Sequence, residues 1–240
     1  MPGPPSFDIT ALQRLAALFP QYADPAKAAA MRKYMRNLFP FLGIPSPARR
    51  ELQRKALAGL ARPTEGELGV LAGHLWELSE REYQYAAMDI LAKHVRVCGP
   101  GFLAAARTLI TTKSWWDTVD GLAADVAGDL VRRFPELAVT MDAWVESDNL
   151  WLRRTALIHQ LRYKEKTDTE RLFRYCLARA GETDFFIRKA IGWAVRQYSW
   201  TDPGAVAAFV AAHEAELSPL SRREALLAIR GGRKHRPAPP

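Results

Sequence analysis

The sequence has little of what several large protein classes require. It holds two cysteines, Cys98 and Cys176, among 240 residues, and both fall in apolar segments. Two such residues predict small core side chains in a reducing compartment and not a disulfide scaffold. The apolar runs are shorter than the roughly 20 residues that cross a bilayer, and the first residues show no signal-peptide pattern. These absences predict a cytoplasmic protein without membrane contact.

The sequence also lacks the motifs of the common catalytic schemes. Its five histidines show neither metal-ligand spacing nor pairing with cysteine, which argues against zinc. No glycine-rich phosphate loop, nucleophile elbow or conventional cofactor motif occurs. We therefore expect no metal and no cofactor, and any chemistry must depend on carboxylates, aromatic rings and arginines.

Strand patterns are absent too, because no stretch alternates apolar and polar residues cleanly. Apolar residues instead recur at helical spacing between proline, glycine and Asx breakers. Asp24 and Pro25 are typical of a helix start, and Ser114 with Asp117 forms a capping-box-like start. The predicted helices cover about residues 8–19, 25–37, 47–61, 64–78, 79–97, 101–111, 114–133, 135–146, 149–163, 168–180, 184–199, 203–215 and 219–229.

This succession predicts an all-α fold. Short links make neighbouring helices antiparallel, and pairs that recur about every 35–45 residues are typical of an irregular, HEAT-like α-solenoid with a concave face. We expect one helical domain over residues 8–230, between a flexible start (1–7) and a disordered, basic and proline-containing tail (231–240).

The charge mildly favours a nucleic-acid partner. The formal net charge is +8 and the pI is about 9.7. Residues 230–236 supply four of the positive charges, so the body of the chain remains near +4. A basic body of this kind suits an acidic partner, and we expect DNA.

The most unusual stretch is residues 113–120, with two tryptophans and two carboxylates. On a helix, Trp116 and Asp120 lie one turn apart, in line with Ala123 and Ala127, whose small side chains would leave space above them. This face suits a functional site. The alternative is an ordinary exposed aspartate beside a half-buried tryptophan.

Two later helices carry similar features. Arg154 falls in the middle of an apolar stripe, so it needs either an internal ion pair or a ligand. Trp193 lies off the core stripe of its helix, near Lys189 and Arg196, with Gly192 leaving clearance beside it. An indole among cations suits a surface that receives a partner, whereas the alternative is a ring that fills the seam to a neighbouring helix.

Five segments resemble the AlkD-type DNA alkylation repair glycosylases in order and spacing, along roughly residues 8–230. They are MRKYMRNLFPFLGI (31–44), REYQY (81–85), SWWDTVD (114–120), LWLRRTA (150–156) and FIRKAIGWA (186–194). The resemblance implies HEAT-like repeats whose concave face holds duplex DNA, and excision of N3- and N7-alkylated purines without metal or organic cofactor. It also implies that Asp120 is the catalytic carboxylate and that Trp116 and Trp193 are aromatic walls beside the backbone of the lesion.

The resemblance further implies that Tyr34 is a cleft aromatic and that Arg154 contacts the DNA backbone, with Arg153 as the neighbour that could take its place. Cations near the motifs complete the predicted DNA-binding set. Its members are Tyr34, Arg153, Arg154, Lys164, Lys189 and Arg196, with Arg36, Arg162 and Lys166 as further candidates.

The predicted function is therefore that of a monomeric alkylpurine DNA glycosylase of the bacterial cytoplasm or nucleoid, acting on duplex DNA that contains alkylated purines. The alternative from another class is a non-catalytic scaffold that recognises damaged or branched DNA. A scaffold has no need for the Trp116 and Asp120 pair with small residues beside it.

Overall fold

The computed structural model describes residues 6–231, and its regular structure over that range is entirely helical. The all-α prediction is confirmed. The predicted flexible start and basic tail lie almost wholly outside the described residues, although Phe7 already belongs to the first helix. No described helix is long and apolar enough to cross a membrane.

The helices group into two compact units that divide between Lys113 and Ser114. The single domain expected over residues 8–230 stays a prediction. Within each unit, helices pack on the helices one to three positions away along the chain, as expected for stacked helix pairs.

The described residues of the first unit, 6–113, form six α-helices. They are α1 (Phe7–Leu18), α2 (Pro25–Tyr34), α3 (Ser46–Ala56), α4 (Glu65–Glu77), α5 (Arg81–His94) and α6 (Phe102–Thr111). Local chemistry sets their starts. The Asp24 carboxylate accepts from the N–H groups of Ala26 and Lys27, as its position before Pro25 predicted.

A buried carboxylate fixes the proline-punctuated connection before α3. Glu82, which is 1% exposed, accepts N–H groups from Leu42, Gly43 and Ile44 at 2.8–3.0 Å. These bonds satisfy backbone donors that have no partner within a helix, and they tie the connection to α5.

The second unit contains the remaining helices. They are α7 (Trp116–Gly121), a π-helical segment (Leu122–Ala127), α8 (Gly128–Arg133), α9 (Ala138–Val145), α10 (Leu150–Ile158), α11 (Thr169–Ala178), α12 (Phe185–Tyr198), α13 (Pro203–Ala212) and α14 (Pro219–Arg230). α10 packs on α7, the π-helical segment, α9, α11 and α12, and α12 packs on α14.

The predicted helix over 114–133 differs from the structure in two ways. It begins at Trp116, with Trp115 and not Ser114 at the N-cap, so the predicted capping box is wrong. Its middle is π-helical, and each π turn holds more residues than an α turn. The π turn changes the register, and Ala123 and Ala127 are completely buried instead of leaving open space.

A glycine permits the close approach of α8 and the end of α10. A Cβ on Gly128 would lie 2.2 Å from the carbonyl oxygen of His159. We expect Gly128→Ala to lower the free energy of unfolding by about 1–3 kcal/mol, because backbone must move to admit the methyl group. Equilibrium denaturation in urea measures this change.

The matched control is Gly73→Ala, also within a helix, where a Cβ meets nothing within 4 Å. That variant should gain about 0.5–1 kcal/mol, since alanine restricts the unfolded chain. Equal effects of the two substitutions would show that the approach at Gly128 is not tight.

Candidate functional site

A buried ion pair joins α7 to α10. Arg154 donates from Nε to Oδ1 and from Nη2 to Oδ2 of Asp120, both at 2.7 Å. The Asp120 side chain is 11% exposed and that of Arg154 is 6% exposed. Of the two alternatives that the sequence left open for Arg154, the structure contains the internal ion pair. The backbone-contacting role that the resemblance implied for Arg154 stays a prediction.

The remaining nitrogen of the guanidinium, Nη1, contacts α12. Nη1 of Arg154 donates to the carbonyl oxygen of Phe186 at 2.6 Å, and the guanidinium carbon lies 5.9 Å from the Phe186 ring centroid. One arginine therefore ties three helices together through α7, α10 and the first turn of α12. Sequence reasoning missed Phe186 because a backbone carbonyl leaves no trace in side-chain patterns.

Burial and pairing act on Asp120 in opposite directions. Burial raises the pKa of the Asp120 carboxyl above its ordinary value, whereas the charge and hydrogen bonds of Arg154 lower that pKa. Both carboxyl oxygens accept N–H bonds, which is the geometry of an ionised carboxylate. Each oxygen retains a second lone pair that can face another group.

Three aromatic rings pack beside this pair. The ring centroids of Trp115 and Trp151 are 5.7 Å apart, and each lies 5.0–5.2 Å from that of Phe186. The three residues are 36 and 35 residues apart in the sequence, which is the length of one helix pair. That spacing is the signal from which this aromatic cluster could have been predicted. The backbone of Trp115 is extended directly before α7.

Trp116 and Trp193, the two predicted walls, are both half-buried. Trp116 is the first residue of α7, and Trp193 lies in the middle of α12. Both helices pack on α10, which carries Arg154. Neither indole is fully buried in the core, and the role of both at the lesion stays a prediction.

The surroundings of Trp193 differ from the prediction. A Cβ on Gly192 would lie 2.4 Å from the Cβ of Glu224 and 2.8 Å from the carbonyl oxygen of Ser221. Gly192 therefore allows α14 to approach α12 and does not provide clearance for the indole.

Glu224 also binds both cations that flank Trp193. Lys189 lies 2.9 Å from Oε1 and Arg196 lies 3.0 Å from Oε2 of this buried carboxylate. A phosphate would compete with Glu224 for these two cations, so their predicted DNA contacts stay predictions.

Of the other predicted DNA-binding residues, some bind carboxylates or carbonyl oxygens of the protein and the rest are exposed. Arg153 donates to Glu182 and to the carbonyl oxygens of Ser147 and Asp148, so it holds the turn before α10. Lys164 is exposed on the short 3₁₀ turn after α10.

Two more of the predicted cations lie near that turn. Arg162 pairs with Asp125 at 2.8 Å, and Lys166 is exposed at the end of the 3₁₀ turn. Tyr34 lies in the first unit, at the end of α2, with 74% of its surface exposed.

Within residues 6–231, no three His, Cys, Asp or Glu side chains are grouped as metal ligands would be. The expectation of chemistry without metal or cofactor stays a prediction. What the described residues offer is a desolvated carboxylate, its arginine, and nearby indole and phenyl rings.

The comparisons with known proteins agree with one another. The profile of the family described as "DNA alkylation repair enzyme" matches residues 15–229. The chain is similar to a solved structure described as "Predicted DNA alkylation repair enzyme from Enterococcus faecalis". The two are 34% identical with a TM-score of 0.78, over 85% of this chain and 95% of that chain. No curated protein matches. The chain therefore belongs to the family of DNA alkylation repair enzymes.

Proposed function

We propose that the protein is a monofunctional DNA glycosylase that hydrolyses the N-glycosidic bond of cationic N3- or N7-alkylated purines in duplex DNA. The observation that carries this proposal is the buried carboxylate of Asp120. Asp120 lies in α7, the helix that begins with Trp116, and its carboxylate is paired with Arg154 of α10. Family membership supports a role in the repair of alkylated DNA.

The substrate supplies much of the driving force. An N3- or N7-alkylated purine already carries a positive charge, so its bond to C1′ is weak. When that bond breaks, the electron pair leaves with the base, which departs neutral. The sugar becomes oxocarbenium-like, a water oxygen adds to C1′, and a proton is released. No separate acid is needed to activate the leaving group.

Asp120 is suited to the charge that develops on the sugar. A preorganised carboxylate in a desolvated site stabilises an oxocarbenium-like centre far better than water does, because it needs no reorganisation. The bidentate bonds from Arg154 fix the carboxylate orientation. We assign Arg154 as a positioning residue for Asp120.

The indoles of Trp116 and Trp193 are suited to hold the cationic nucleotide. An indole face attracts a cation by about 0.5–2 kcal/mol, depending on how far water is excluded. This attraction needs no hydrogen-bond donor and no deep base pocket.

Replacing Asp120 by asparagine removes the charge and keeps the shape. We expect Asp120→Asn to bind methylated duplex DNA with nearly unchanged affinity and to release 7-methylguanine about 100-fold more slowly or worse. Single-turnover assays with chromatographic detection of the free base measure the rate, and fluorescence anisotropy measures the affinity.

The matched control is Asp129→Asn, another carboxylate of the same helical run that binds arginines, here Arg132 and Arg133. It should excise at the wild-type rate. Equal excision by Asp120→Asn and wild type would remove the catalytic assignment, and no free base from the wild type would favour the scaffold function.

The pH profile tests the positioning role of Arg154. Arg154 lowers the pKa of Asp120, so its loss raises that pKa and leaves less carboxylate ionised at a given pH. The acid limb of the excision rate should move to higher pH in Arg154→Gln, and by less in Arg154→Lys, which keeps the charge.

An acid limb that stays in place in both variants would assign that limb to another group. Because removal of one partner from a buried pair costs about 3–5 kcal/mol, thermal midpoints must show that each variant is folded at the assay temperature.

Trp193→Ala tests the proposed attraction between the indole of Trp193 and the cationic nucleotide. Loss of a partly desolvated cation–π contact should slow excision about tenfold while the thermal midpoint changes little. Trp200→Ala, another half-buried tryptophan just beyond α12, is the control and should excise normally. A collapsed thermal midpoint in Trp193→Ala alone would instead make Trp193 a packing residue.

A further inference from the structure

The starts of α10, α12 and α14 repeat one pattern of residues. Each helix has a capping side chain that accepts backbone N–H groups, and the three caps are Asn149, Asp184 and Ser218. Four residues after each cap stands an arginine: Arg153, Arg188 and Arg222. Two residues before each cap stand Ser147, Glu182 and Glu216. In stacked repeats, equivalent residues meet equivalent neighbours, so the partners of Arg153 predict those of Arg188.

Arg153 is bound both by its own turn and by the repeat that follows. It donates to the carbonyl oxygens of Ser147 and Asp148 and to the carboxylate of Glu182. Arg188 makes only the first kind of bond, from Nε to the carbonyl oxygen of Glu182 at 2.7 Å. Within residues 6–231, no carboxylate pairs with Arg188.

The carboxylate that the repeat predicts for Arg188 is engaged elsewhere. Glu216 is the equivalent of Glu182, and its Oε1 lies 2.7 Å from Nδ1 of His213. The other glutamate of this link, Glu214, accepts from Nη1 of Arg222 at 2.6 Å. The position on Arg188 that Glu182 fills on Arg153 is therefore not filled by Glu216 or Glu214.

A cleft of about 580 Å³ lies at this position, between the turn before α12 and the link before α14. Its charged lining consists of Arg188, Arg222, Glu214 and Glu216, and Ala180 and Leu217 add apolar surface. Arg188 is half-buried. Because water screens a half-buried charge less than an exposed one, its guanidinium is suited to bind an anion at short range.

The glutamates of the cleft select among anions. The side chains of Glu216 and Glu214 are 57% and 73% exposed, so both carboxylates lie where the cleft meets solvent. They repel duplex DNA, which carries one negative charge per ~1.7 Å, and they attract a cation beside the bound anion. The cleft is also too open to enclose most of a small molecule. These features favour a peptide in which basic residues flank an acidic one.

We propose that this cleft binds a protein partner through an acidic side chain, whose carboxylate takes on Arg188 the place that Glu182 takes on Arg153. Basic residues beside that acidic side chain pair with Glu214 and Glu216. None of the cleft residues takes part in the proposed excision, so this site is independent of whether the chain is a glycosylase.

The probe is the acetylated and amidated peptide GKEKG, with GKQKG as its uncharged counterpart. NMR titration of ¹⁵N-labelled protein measures Kd from the resonances of residues 180–188 and 213–222, including Nε–H of Arg188. Arg188→Gln should weaken GKEKG binding about tenfold or more, because charge-assisted hydrogen bonds are lost. The matched control is Arg223→Gln, an exposed arginine outside the cleft lining, which should leave Kd unchanged.

Equal Kd values for GKEKG and GKQKG would overturn the proposal, as would equal effects of the two arginine substitutions. Absence of shifts at about 10 mM GKEKG would overturn it too. An unmodified DNA duplex that moves the Arg188 resonance and displaces GKEKG would make the cleft a DNA contact and so contradict a protein partner. Thermal midpoints show whether each variant is folded.

His213→Phe tests why Arg188 is open to a ligand. Phenylalanine keeps a ring beside Phe209, whose centroid lies 5.1 Å from that of His213, and it removes Nδ1. Glu216 is then released toward Arg188, and GKEKG affinity should fall about 2–5-fold. Adding Glu216→Gln to this variant should restore the affinity.

This second test keeps Arg188 in place, so it decides the matter even if Arg188→Gln is unstable. An unchanged GKEKG affinity in His213→Phe would overturn the equivalence of Glu216 and Glu182 on which the site depends.

Discussion

The buried pair of Asp120 and Arg154 is the constraint on which the second unit depends. The two side chains come from positions 34 residues apart, and a third element supplies the carbonyl oxygen of Phe186. Loss of one member leaves a charge in a site with little water, at a cost of about 3–5 kcal/mol. The surrounding packing must therefore bring α7, α10 and α12 within hydrogen-bond distance of one guanidinium. The π-helical segment directly after α7 and the close approach at Gly128 belong to this same junction.

The same principle of local neutralisation recurs through the unit. Glu224 sits between two cations of α12, and Glu182 binds the arginine that precedes Arg154. Each carboxylate connects two helices. Each also neutralises cationic side chains that could otherwise bind phosphate. Under the proposed function, these ion pairs and the DNA phosphates compete for the same side chains.

The fold could be predicted where its causes are local. Asp24 caps α2 because its carboxylate needs only the N–H groups of Ala26 and Lys27, and these residues lie within four consecutive positions of the sequence. Ser114 is not the cap, because the helix begins one residue later, after an extended Trp115 whose ring packs on the distant residues Trp151 and Phe186. The π turn over 122–127 and the role of Gly192 depend on how closely another helix approaches. Helical spacing in a single segment contains no information on either. The sequence therefore predicted the helices and named candidate side chains for the site, but it did not predict the ion pairs that these side chains form.

Pairing changes what the carboxylate can do. A bare aspartate would attract any cation, whereas Asp120 with Arg154 is neutral as a unit and exerts little force at long range. Its field becomes strong only within contact distance of the carboxylate oxygens, where a sugar acquires charge as the glycosidic bond breaks. Under the proposed mechanism, selection of an already cationic nucleotide then falls to neutral groups. Indole faces are such groups, since they attract a cation without drawing counter-ions from solution. Under this proposal, recognition by Trp116 and Trp193 and stabilisation by Asp120 act at different stages, and the ion pair with Arg154 confines the action of the carboxylate to the transition state.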